Sequence, residues 1–142
     1  MTYRQRIIRL RVFLDANVLF SAADERSRTS EVLVELLRFD HEAVTSPYAW
    51  TEARRGVERK RPHLLNGFEE LRDHVAIIDA PVAPLDIECA EKDKPILAGA
   101  IGARCTHLWT GDKAHFGQFY GRTIHGVKVI SGHQLLELLS GM

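Results

Sequence analysis

Four acidic residues carry the chemistry that this sequence offers. Asp15 directly follows the apolar run Val12, Phe13 and Leu14. Glu52 lies in "SPYAWTEARRGV", Asp93 stands immediately before "KPILAGAI", and Asp112 closes "TGD". Carboxylates gathered in one place without a cation repel one another and push one or more of their pKa values upward, an arrangement that makes sense when a divalent metal sits among them. Hard oxygen ligands with no organised His or Cys favour Mg²⁺ or Mn²⁺ over zinc. Asn17, two positions after the first acid, and Thr110 with Gly111 before the last one add a polar side chain, a hydroxyl and exposed amides. Such groups can hold a water, a metal-bound carboxylate or a phosphate.

Each of these residues also has a plainer reading. A single aspartate at a strand end commonly caps a helix or forms a turn, so it is the placement of the set that argues for a site. The histidines in "CTH" (105–107) and "HFG" (115–117) lack metal-site spacing and read as surface or core residues. The small-residue run "ILAGAIGA" lets a helix approach the sheet closely. No GxGxxG or GxxxxGK[ST] pattern occurs, which removes the strongest sequence argument for a dinucleotide or nucleoside triphosphate site. Arg54, Arg55, Arg59, Lys60 and Arg61 begin two positions after Glu52, and Lys113 adjoins Asp112; they read either as phosphate contacts or as a solvated face. Trp50, Trp109 and Tyr120 read as base-stacking platforms or as core.

The acids can meet only if the elements bring them together. "RVFLD" has the length and composition of a buried strand, and "ANVLFSAA" turns into a first helix. A second helix, "TSEVLVELLRF", follows a capping Thr29 or Ser30. "EAVTSP" makes a strand whose Ser46 caps a helix with Pro47 in its first position. "HLLNGFEELRDH" is amphipathic, "VAIIDA" is a strand, and "APVAP" is a proline-punctuated loop. "DKPILAGAIGARC" is a helix opened by Pro95, "THLWTGD" a strand, "AHFGQFYG" a short helix or loop, "VKVI" a strand and "GHQLLELL" a closing helix. Five strands alternating with helices predict an α/β sandwich with a mostly parallel sheet. In such sheets ligands bind beyond the carboxyl ends of the strands, which is where Asp15 and Asp112 fall.

The 142 residues, 45% of them hydrophobic, amount to one domain spanning 1–142. Nineteen basic residues balance nineteen acidic ones, so any electrostatic attraction must come from local patches. Cys89 and Cys105 match neither a disulfide framework nor a CxxC metal site and read as free thiols of a reducing, cytoplasmic setting. The basic start "MTYRQRIIRLRVFL" is interrupted by arginines and runs into a strand, unlike a cleaved signal, and no apolar run is long enough to span a bilayer.

From "VFLDANVLFSA" through "SPYAWTEARRGV" and "KDKPILAGAI" to "WTGDKAHFG", the sequence resembles the PIN-domain nucleases, especially the VapC-type toxins of toxin–antitoxin pairs. The resemblance covers almost the whole chain. It implies a three-layer α/β/α fold and metal-dependent hydrolysis of RNA phosphodiesters. The family's metal-binding acids fall on Asp15, Glu52, Asp93 and Asp112, its Thr or Ser position on Thr110, and its polar position after the first acid on Asn17. Asp15 and Asp93 are expected as direct ligands of Mg²⁺ or Mn²⁺, Asp112 as a ligand or water-positioning group, and Glu52 as the group that completes the cage. The resemblance also implies a cognate antitoxin and a homodimer. Two other functions are consistent with the residues: a non-catalytic PIN-fold module that binds RNA or protein, and a metal-dependent phosphohydrolase acting on a small phosphate ester. The "DAN" start lacks the DxD pattern of an aspartyl-phosphate phosphatase.

Overall fold

A computed structural model describes residues 8–81 and 86–142. The first seven residues of the basic start, and residues 82–84 of the proline-punctuated loop, lie outside the described residues. The expected alternation is present. Strands β1 (Arg11–Leu14), β2 (Glu42–Thr45), β3 (Val75–Ile77), β4 (His107–Trp109), β5 (Thr123–Ile124) and β6 (Val127–Ile130) form one sheet in the order β3-β2-β1-β4-β6-β5. Helices α1 (Ala16–Ala22), α2 (Arg28–Arg38), α3 (Pro47–Lys60), α4 (Leu65–Glu70), α5 (Lys94–Gly102), α6 (Lys113–Phe116) and α7 (Gly132–Ser140) complete a three-layer α/β/α arrangement.

The central strand is buried along its length because parallel sheets are covered on both faces. Val12, Phe13 and Leu14 have no exposed surface, and β1 pairs in parallel with β2 on one side and β4 on the other. From β1 the chain first builds outward through β2 and β3, then returns to add β4 and β6 on the opposite side. The direction of winding therefore reverses between β1 and β4, and a crevice opens there beyond the carboxyl ends of the strands.

Local sequence accounts for most boundaries. Ser46 caps α3, its Oγ accepting from the amide of Ala49 (3.1 Å), with Pro47 in the first turn as expected. The cap of α2 lies two or three residues earlier than expected, at Ser27 rather than Thr29 or Ser30. Ser27 Oγ accepts from the amide of Ser30 at 3.0 Å, so the helix starts at Arg28, two or three residues before the start that those caps would set. Ser131 and Gln134 form a reciprocal capping box on α7.

The sixth strand is the main departure from the expected five. β5 pairs antiparallel with β6 through a tight turn at His125 and Gly126, both with positive φ (48° and 85°). Such a turn requires left-handed backbone at both central residues, and His-Gly is a weaker signal for it than Asn-Gly or Asp-Gly.

The small-residue helix α5 has the packing role expected of it. A Cβ at Gly99 would come within 3.1 Å of the Phe13 ring, so this glycine lets α5 lie against β1. Cys89 and Cys105 are free. Burial pushes the Cys105 thiol up to about 12, which makes it a core side chain and not a nucleophile. No helix among the described residues is long and apolar enough to cross a membrane.

Candidate active site

Asp15 leaves the end of β1 at the winding reversal, where its backbone amide still bonds to the Trp109 carbonyl of β4 (3.1 Å). Its side chain is buried, with 6% exposure for the residue, and both carboxylate oxygens are held. Oδ1 accepts from the Ala16 amide at 2.6 Å, and Oδ2 accepts from the Thr110 hydroxyl at 2.7 Å. Burial is the main cause that raises this carboxyl from 3.8 to about 6. The two hydrogen bonds oppose the rise, and the neighbouring charges of Asp112 and Asp93 add to it. The acids of three separate segments thus feel one another electrostatically.

Thr110 is the hinge of the arrangement. It has no exposed surface, and its hydroxyl donates to Asp15 while accepting from the Asp112 amide at 3.1 Å. One oxygen therefore ties the end of β1 to the turn after β4. Tyr120 closes the back of that turn by donating its hydroxyl to the Thr110 carbonyl (2.8 Å). No hydrogen bond joins Asn17 to Asp15 among the described residues; Asn17 Oδ1 accepts from the Gly111 amide at 3.1 Å and so fixes the "TGD" turn against the first turn of α1.

Of the remaining three acids, Glu52 lies in the second turn of α3, and Asp93 and Asp112 stand at helix starts. Glu52 is exposed on α3 and lines the same cleft as Asp15, Asn17, Asp93 and Asp112, a space of about 170 Å³ that Tyr48, Lys92 and Ile96 also border. Asp93 precedes α5 but does not cap it: its carboxylate accepts from His115 Nδ1 at 2.8 Å and is nearly inaccessible. Asp112 does cap α6, accepting from the His115 amide at 3.1 Å, so the plainer reading of a strand-end aspartate holds for it alongside the site reading.

The donor set suits a hard cation in kind, being all oxygen, and the charges of Asp112 and Asp93 add to the rise that burial causes at Asp15. In spacing it is open. Among the described residues no three His, Cys, Asp or Glu side chains gather tightly enough to form a metal-binding group as placed. The four acids border one cleft.

The basic stretch divides. Arg54 is paired with Glu69 of α4 (2.6 Å) and with Glu58 one helical turn on (3.5 Å), so its guanidinium is already engaged by two carboxylates. Arg55 and Arg59 are exposed at three and seven residues from Glu52, the spacing of one helix face. Lys60 and Lys113 are exposed as well, while Arg61 lies over the Phe20 ring, 5.7 Å from its centroid. Trp50 and Trp109 are core, with 4% and 2% exposure, and Tyr120 is committed to Thr110. None of these three is a free stacking surface.

The exposed aromatic at the cleft is Tyr48, which the sequence reading passed over although it stands one helical turn before Glu52. Burial first and the adjacent Glu52 next push its phenol upward. His115 was also missed, because it lacks metal-site spacing; the signal available was its place three residues after Asp112, the position that a capping aspartate reaches.

No family model matches the sequence, and no curated protein matches it. Among solved structures, the chain is similar to one in the crystal structure of VapBC2 from Rickettsia felis bound to a DNA fragment from their promoter. The two share 16% identity with a TM-score of 0.61, over 84% of this chain and 97% of that one. It is also similar to a chain in VapBC-1 from nontypeable Haemophilus influenzae, at 14% identity and a TM-score of 0.56, over 86% of this chain and 98% of that one. At these identities the likeness establishes the fold alone: the three-layer α/β/α arrangement with a mostly parallel sheet that the motifs led us to expect, shared with chains of the two VapBC structures.

Proposed function

We propose that the protein is a metal-dependent endoribonuclease, the toxin of a toxin–antitoxin pair. The observation that carries this reading is Asp15, buried at the end of β1 and bound by Thr110 from the end of β4, with Glu52, Asp93 and Asp112 around the same cleft. Asp15 and Asp93 would hold Mg²⁺ or Mn²⁺, with Asp112 and Glu52 completing the set. Bound there, the ion would supply a water of lowered pKa and neutralise charge on the phosphate and on the departing 3′ oxygen. Thr110 keeps Asp15 in place and aims the Asp112 turn, and Asn17 holds Gly111 so that this turn cannot swing. Arg55, Arg59, Lys60 and Lys113 would bind phosphates flanking the scissile bond. No covalent intermediate with the protein is required.

The partner assignment rests on the two similar structures, both VapBC proteins. A cognate antitoxin would cover the acidic cleft, and an arginine inserted among the carboxylates would compete with the cation for the same oxygens. A homodimer would extend the RNA groove across two subunits.

The test is cleavage of total cellular RNA by the purified protein with Mg²⁺, Mn²⁺ or EDTA, beside Asp15→Asn, with new ends mapped by sequencing. Metal-dependent cuts that the variant lacks are expected. Equal behaviour of the two proteins would transfer the open acid cleft to a non-catalytic binding module, and turnover of a generic phosphate ester without RNA cleavage would assign it to a small-molecule phosphohydrolase.

A further inference from the structure

We infer that His115 is a positioning residue that presents the Asp93 carboxylate to the cation, an inference that rests on the metal-dependent reading above. Asp93 draws no support from its own helix. It stands at the start of α5 with its side chain turned away from the helix amides, and among the described residues His115 is the one group that hydrogen-bonds to its carboxylate. A carboxylate with 9% side-chain exposure needs such a donor to be oriented at all.

His115 is also tied to the opposite acid. Its backbone amide donates to Asp112 Oδ1 at 3.1 Å, while its ring donates through Nδ1 to Asp93 Oδ2 at 2.8 Å. A single residue therefore fixes the separation of two acids that lie nineteen positions apart and belong to different helices. The ring bond consumes one oxygen of Asp93, and the amide bond consumes one oxygen of Asp112. The second oxygen of each carboxylate has no hydrogen-bond partner among the described residues, and both acids border the same cleft. The ring is itself partly accessible, with 30% side-chain exposure, so it is not a core side chain. Outer partners of this type commonly contribute ten- to a hundredfold to metal affinity, because a ligand that must be ordered on binding binds less well.

The two contacts can be separated by substitution. His115→Phe keeps the ring volume and the backbone amide and loses the Nδ1 donor. His115→Asn loses the ring and restores an N–H donor close to the Nδ1 position. The experiment is Mn²⁺ titration of the folded wild type and of both variants, followed by electron paramagnetic resonance of free Mn²⁺, with no RNA present. Positioning predicts that H115F weakens Mn²⁺ binding by about tenfold and that H115N stays within about threefold of wild type. A packing role predicts the reverse order, and that order, or three equal affinities, overturns the inference. A wild type that binds no Mn²⁺ overturns the inference together with the metal-dependent reading. A wild type that binds Mn²⁺ no better than H115F removes the role of His115 alone. Should H115F fail to fold, His115→Ala takes its place as the variant without a ring donor: about a tenfold loss in H115A with H115N near wild type is expected, and equal affinities of H115A and wild type overturn the inference.

Discussion

At the scale of single residues, the site is organised around a carboxylate that the fold makes costly. Asp15 ionises at about 6 in the folded protein, whereas in the unfolded chain it ionises near 3.8. Between those values the folded state binds the extra proton, so stability falls as pH rises from about 4 through 6. Above that window the buried charge costs ~3 kcal/mol. Asp15→Asn in EDTA should therefore raise the melting temperature near pH 7.5 and leave it unchanged near pH 4, where the native carboxyl is already neutral. A variant less stable than wild type at pH 7.5 would show that the Ala16 and Thr110 hydrogen bonds outweigh burial. The same strain should be relieved by a cation. Mn²⁺ at about a hundred times its Kd should stabilise the wild type by ~2.7 kcal/mol, and Asp93→Asn by much less. Equal thermal shifts in the two proteins would remove Asp93 from the metal site.

At the scale of elements, what could be read beforehand was whatever local chemistry decides. "RVFLD" announced β1 because a fully covered parallel strand is continuously apolar, and "SP" announced the start of α3 because serine caps and proline tolerates the first turn. Residues 123–126 gave no comparable signal, since a two-residue strand is held by its pairing with β6 and not by its own sequence. The positions of Asp15, Asp93 and Asp112 were legible because strand ends and helix starts are places that local sequence fixes. Their outer contacts were not: the bond from His115 to Asp93 and the pairing of Arg54 with Glu69 depend on which helix faces which. Caps offer a test at this scale. Ser46→Ala and Ser27→Ala each remove one cap and should each cost about 1 kcal/mol, which for a chain of this size lowers the melting temperature by roughly 3 °C. Only Ser46 starts the helix that carries Glu52, so cleavage should fall in S46A and be retained in S27A. Equal activities would separate the start of α3 from the site.

At the scale of the whole molecule, a net charge of zero means that no long-range field draws in a polyanion. Any attraction for RNA has to come from cations placed along the route to the cleft, and α3 places them selectively. Arg55 and Arg59 share the exposed face that follows Glu52, whereas Arg54 is spent on Glu58 and Glu69. Phosphate contacts release counterions, so each one adds about 0.7 to the slope of log affinity against log salt for a single strand. Replacing both Arg55 and Arg59 by Ala should lower that slope by about 1.4, and the binding lost should be largest at low salt. Arg54→Ala should leave the slope unchanged and instead reduce stability by less than about 1 kcal/mol, the usual size of a half-exposed ion pair. The measurement is binding of a single-stranded RNA to the Asp15→Asn protein across a salt series, with the arginine changes added to that background. A slope that responds to Arg54 and not to Arg55 and Arg59 would move the RNA path to the other side of α3, toward α4, and would make the Glu69 pair a gate that RNA has to open.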